Sequence, residues 1–182
     1  MRLKTNEMIL CAIFSAVLCI FSVMTIPIGT IPITMGVFGV LITAVILGGK
    51  KGLVSTVIFI LLGSVGLPVF SGMKGGLQVL AGPTGGYITG YVLMVLLVGW
   101  LGEKVTAGRW VLAVLQLCGI CLLGVAVCYL FGTLQYMWIS NKSFGQALAL
   151  CVYPFIPLDI LKSVGAAAIG YSVRIRLERW KT

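Results

Sequence analysis

The sequence predicts an all-α integral membrane protein, six transmembrane helices in one bundle with the N- and C-termini cytoplasmic. Three observations lead there. Of the 182 residues 60% are hydrophobic and 9% charged, against about 25% charged in a typical soluble domain. Twenty-four glycines suit helices that pack closely in lipid. The basic residues also alternate sides: with the N-terminus inside, ten of them (Arg2, Lys4, Lys50, Lys51, Lys104, Arg109, Arg174, Arg176, Arg179, Lys181) fall on the cytoplasmic side. Only Lys74 and Lys142 fall outside, with Lys162 at membrane depth. Retained loops are enriched in Lys and Arg.

Apolar runs between breakers place the spans at about 8–27, 33–48, 52–67, 84–102, 110–131 and 148–173, each near the length that crosses a bilayer. Met1-Arg2-Leu3-Lys4 precedes the first run. No small-residue cleavage site follows, so that run reads as a span and not as a signal peptide. Pro154 and Pro157 would disrupt a helix interior but suit a first turn. The last helix is therefore expected to begin near Pro157, with Asp159 and Lys162 at its outer start. Tyr129, Tyr136 and Trp138 read as the outer aromatic belt. The whole chain, 1–182, is expected to form a single membrane domain.

Several functions lack their parts. There is no His, and "GGKKG" at 48–52 lacks the spacing and hydroxyl of a nucleotide-binding loop. General acid-base catalysis and a metal centre have no candidate residues, and no cofactor is expected. The six cysteines lie in apolar runs, where a thiol acts as a small hydrophobe. A net charge of +9 reads as a topology signal with anionic headgroups as partner, and nucleic acid as a partner is excluded.

What remains is Asp159 and Lys162, three residues apart on one helix face. They are either an ion pair that tolerates burial or the lining of a pocket. Ionised groups at membrane depth cost at least ~2.5 kcal/mol and usually serve a pathway or a site. Together they present two acceptor oxygens and three donors to a small polar ligand. The connector "GLPVFSGMKGGLQVLAGPTGGY" at 66–87 is glycine-rich yet partly apolar, so residues 68–83 read as an outer lid and Lys74 as a second cation. Two small-residue faces, Ala12/Ala16 and Gly86/Gly90, permit close helix approach.

Three stretches together, "IPIGTIPIT" at 26–34, "GLPVFSGMKGG" with "GPTGGY" at 66–87, and "PFIPLDILK" at 154–162, resemble the BioY family. These are the biotin-specific substrate-binding subunits (S components) of energy-coupling-factor (ECF) vitamin transporters of prokaryotic cell membranes. The resemblance covers nearly the whole chain. It implies a non-enzymatic subunit that captures biotin from outside and docks on a transmembrane coupling protein driven by two ATP-binding-cassette ATPases. It implies Asp159, Lys162, Lys74, Gly75, Thr84 and Tyr87 as ligand contacts, and Ala12 and Ala16 as the docking face. Two positions depart from the family's pattern: Gly36 stands where Gln is common, and Lys74 where a small residue or an amide is. An S component for another vitamin, or a self-sufficient transporter with Asp159 as its proton-coupling carboxylate, stays open on the residues alone.

Overall fold

The computed structural model describes residues 4–27, 31–106 and 109–179. In chain order the elements are α1 (Thr5–Val23), a short antiparallel pair β1 (Thr25–Ile26) and β2 (Ile33–Thr34), α2 (Gly36–Ser64) and α3 (Leu77–Leu80). They continue with α4 (Gly85–Glu103), α5 (Trp110–Ser140), α6 (Phe144–Cys151) and α7 (Ile156–Arg179). Among the described residues five helices are long and apolar enough to cross a membrane: α1, α2, α4, α5 and α7.

The expected second and third spans, 33–48 and 52–67, are joined in α2. Its helical dihedrals break at Gly48 (φ 77°, ψ −179°), a backbone region nearly restricted to glycine. Past that point the chain doubles back. A Cβ on Gly52 would lie 3.6 Å from the Cα of Ala44, whereas eight residues of straight helix extend about 12 Å. α2 is thus a hairpin with arms 36–47 and 49–64. Glu103 Oε1 accepts from the Gly49 N–H at 3.0 Å, so an acidic group satisfies a donor at the start of the second arm.

Contacts along the helices fix their directions. Ser15 Oγ donates to Ser55 O at 2.9 Å, and Thr34 Oγ1 donates to Ser22 O at 3.1 Å. α1 therefore runs parallel to the second arm and antiparallel to the first. Gly90 lies against Cys128, and Gly124 against Met94, which sets α4 antiparallel to α5. A Cβ on Gly99 would overlap the backbone of Gly48 and Gly49. α4 and the hairpin tip therefore meet backbone to backbone, the approach glycine permits between helices in lipid.

The main core draws Leu18, Leu41, Phe59, Met94, Leu117 and Ala166 from these five helices. One end of the bundle collects Glu7, Lys51, Glu103, Lys104 and Arg174, with Lys51 paired to Glu7 at 3.3 Å and Arg174 donating to Gly102 O at 2.8 Å. At the opposite end a smaller core of Ile33, Tyr136, Ala147, Cys151 and Phe155 packs α6 under β2.

α5 runs nine residues beyond the expected limit of 131, to Ser140. Its extra turns carry Gln135, whose side chain is paired within the protein. Gln135 Nε2 donates to Leu80 O at 2.7 Å and to Gly82 O at 2.9 Å, tying the 66–84 connector to α5. Phe70 ties the connector's other side to α2. Its buried ring meets Phe59 edge-on, with centroids 5.5 Å apart, in space left by Gly63.

Gly48→Ala is expected to lower stability by about 1–3 kcal/mol, because a side chain there is both strained and pressed against Glu103. Gly119, with nothing within 4 Å of a Cβ position, is the control; Gly119→Ala should shift stability by less than about 1 kcal/mol. Thermal unfolding in detergent compares them, and equal midpoints for both variants would overturn the assignment of Gly48 as the reversal.

Candidate ligand-binding site

α7 opens as its sequence requires. Pro157 occupies the first turn, where its missing N–H has no helical partner to lose. Asp159 lies in that same turn, where a carboxylate is favoured by the helix dipole. Its N–H donates to Phe155 O at 2.9 Å, and Ser163 Oγ returns a bond to Asp159 O at 2.7 Å. The side chain is thereby held at a fixed height on the helix.

Asp159 is 2% exposed and Lys162 8%. Lys162 Nζ donates to Asp159 Oδ1 at 2.7 Å and to Thr34 O at 2.9 Å. Tyr129 OH donates to Asp159 Oδ2 at 2.6 Å. Both carboxylate oxygens are thus engaged, and three parts of the chain far apart in sequence meet at one charge pair. A buried pair persists only when its remaining donors and acceptors are satisfied in this way.

Two small adjoining cavities of about 30 Å³ each lie beside the pair. They share Pro32, Thr34, Tyr87 and Tyr91 as walls. One continues to Tyr129, Phe155, Asp159 and Lys162. The other continues to Ser22, Ser71 and Thr84, and the buried Ser71 Oγ has no hydrogen-bond partner there. Charge therefore stands at one end, hydroxyls at the other, and aromatic rings between.

Of the residues singled out from sequence, Asp159, Lys162, Tyr87 and Thr84 come together around these cavities. Tyr87 OH donates to Cys151 O at 3.0 Å, which fixes its ring against Gly132. Gly75 lies instead against the backbone of Gly66 and Leu67, where a side chain would collide. Lys74 is exposed and lines neither cavity; its backbone pairs with that of Phe70 across a turn. Gly36 abuts Tyr91, whose hydroxyl lies 2.9 Å from the position a Cβ would take. Ala12 and Ala16 are exposed on the outward face of α1, whereas Cys11, Ser15 and Leu18 face inward. Gly86 and Gly90 have the opposite fate, packed against α5.

Sequence reasoning missed Tyr129, Thr34, Tyr91 and Ser71. Tyr129 and Tyr136 are not belt residues: the first bonds Asp159 and the second is buried. Trp138, 84% exposed, is the one of the three that suits a belt. A signal for Tyr91 was present, since Tyr87 and Tyr91 lie one turn apart on the same face. Nothing local distinguishes Tyr129 from an interfacial tyrosine.

The model of the BioY family matches residues 1–179. The chain belongs to the BioY family. It is 35% identical over 175 residues to the biotin transporter BioY of Thermotoga maritima, covering 96% of this chain and 99% of that one. It is also 35% identical to a probable biotin transporter BioY of Pyrococcus horikoshii, covering 92% and 96%. The fold matches the crystal structure of an S-component for biotin from an ECF-type ABC transporter, with a TM-score of 0.84 at 27% identity over 95% of each chain. With its long apolar helices, this BioY family member is a multi-pass membrane protein, and the relatives it matches are transporters or a substrate-binding component, not enzymes.

Tyr129→Phe leaves one Asp159 oxygen buried without its donor, so stability should fall by about 1–3 kcal/mol. Denaturant unfolding of the purified variant in detergent is the check. A loss below about 0.5 kcal/mol would mean that the hydroxyl does not support the pair.

Proposed function

We propose that this chain is the biotin-binding S component of an ECF-type importer in a prokaryotic plasma membrane. The observation that carries the reading is the Asp159–Lys162 pair, buried yet walled by small cavities and roofed by the 66–84 connector. A ureido ring brings N–H donors and a carbonyl acceptor in one plane. Asp159 is the acceptor for its N–H, and Lys162 the donor for its carbonyl. Tyr87 and Tyr91 flank the apolar bicycle, and the hydroxyls of Ser71 and Thr84 meet the valerate carboxylate. Lys74 is assigned no ligand contact, and Gly75 serves the fold of the lid.

Ligand pockets usually exceed about 300 Å³, so entry requires residues 68–83 to lift as a lid. In this reading the chain is a single membrane domain of six spans, each arm of α2 counting as one. Both ends lie in the cytoplasm and the lid faces outside. Uptake needs an energy source this chain lacks, supplied by a coupling subunit with two ATPases. The outward face of α1 around Ala12 and Ala16 is the docking surface, since its small residues face away from the bundle.

Calorimetry in detergent tests the pocket. Biotin should bind the parent, and Asp159→Asn and Lys162→Ala should each weaken it by about ten- to a hundredfold, the scale of a lost charged hydrogen bond. Lys74→Ala should stay within about twofold, as expected for an exposed charge. No binding by a folded parent would sink the biotin assignment. Docking is tested separately: Ala16→Arg should abolish co-purification with the coupling subunit while biotin affinity is kept. Retained co-purification would remove α1 as the docking surface.

A further inference from the structure

A groove opens on the flank of the bundle between α4 and α5, with a volume of about 560 Å³. Its walls are Leu93, Leu96, Leu97, Leu101 and Val127, with Trp100 near one end and Lys104 closing it. From 93 to 104 is eleven residues of helix, about 16 Å, close to half of a ~30 Å hydrocarbon core. The groove is therefore one leaflet long. Its charged end lies with Lys51, Glu103 and Arg174 at the basic end of the bundle.

Lys104 is exposed and makes no ion pair among the described residues. Neighbouring Glu103 is engaged elsewhere, bonded to Gly49. As the cap of α4, Lys104 complements that helix's dipole, which accounts for a cation but not for the apolar channel ending at it. On the far side of α5 the layout repeats. A second hollow of about 380 Å³ between α5 and α7 has Trp110, an apolar wall of Ala168, Ile169 and Val173, and Arg176 as its cation. Its tryptophan is fixed by a hydrogen bond from Nε1 to Ser172 Oγ at 3.2 Å.

We infer that the α4–α5 groove is a binding site for an anionic phospholipid of the leaflet at the basic end, one acyl chain along Leu93–Leu101 and the phosphate on Lys104. Charge complementarity and depth select the occupant. Two separate apolar hollows, each with a cation and an indole in its lining, fit lipids better than one continuous protein helix. Tryptophan at that level is the usual partner of the headgroup boundary.

The test is native mass spectrometry of the full chain in neutral detergent, titrated with phosphatidylglycerol or with phosphatidylcholine of the same acyl chains. Arg176→Gln is the background, so that the α4–α5 groove is read alone. Phosphatidylglycerol should be preferred about fivefold, the ratio one basic residue gives near a headgroup. Adding Lys104→Gln should bring the preference to about one while tail binding persists. Adding Leu97→Trp, which fills the channel, should lower occupancy by both lipids; thermal unfolding shows that each variant is folded. Equal binding of the two lipids by the background protein, or a preference that survives Lys104→Gln, would overturn the site. So would a polypeptide that holds this face against added lipid.

Discussion

The structure depends on burying one charge pair with hydrogen-bond partners around it. Asp159 and Lys162 are neighbours on α7, and the pair alone would leave one carboxylate oxygen and two ammonium donors unsatisfied. The tyrosine of α5 serves the second carboxylate oxygen, and the carbonyl of Thr34 accepts one of the two remaining ammonium donors. Each lies far away in sequence, so the pair is satisfied only once α5, α7 and the segment before α2 have assembled. Breaking a buried pair costs several kcal/mol because it leaves an uncompensated charge. The fold and the site are thus specified by the same bonds.

Glycine supplies the complementary constraint. In lipid there is no hydrophobic force between helices, so close backbone approach must do the work. Gly99 against Gly48 and Gly49 brings α4 onto the hairpin tip, and Gly86 and Gly90 bring it onto α5. α4 is therefore fixed on both sides. It presents Tyr87 and Tyr91 to the cavities near one end and Glu103 to Gly49 at the other. Tight packing along its length gives the aromatic walls their positions.

How far the sequence could be read follows from the same physics. Apolar runs located the helices because lipid demands them, and the prolines located the start of α7 within a residue or two. The end of α5 was misplaced because hydropathy treats Thr133 and Gln135 as leaving the membrane, whereas Gln135 bonds the connector. The break at Gly48 was visible only as a gap between runs, since the dihedral that makes a hairpin has no signature beyond a glycine. Asp159 and Lys162 were legible because charge in an apolar run has few explanations. Tyr129, Thr34 and Ser71 were not, because a hydroxyl or a carbonyl acquires meaning only from what lies opposite it.

The two ends of the bundle treat polarity in opposite ways. At the connector end the charged pair is buried, paired and walled by rings and hydroxyls, so any group that replaces one of its bonds must match it in geometry. At the basic end the cations are partly or wholly exposed on the flanks, where a phosphate can reach them without displacing a buried bond. Selectivity for a particular small molecule needs the first arrangement, because leaving a buried donor or acceptor unpaired is what rejects the wrong ligand. Attraction to a charged surface needs only the second. The division follows from where the chain spends its few charges: four acidic residues in all, of which Asp159 alone is placed at the connector end.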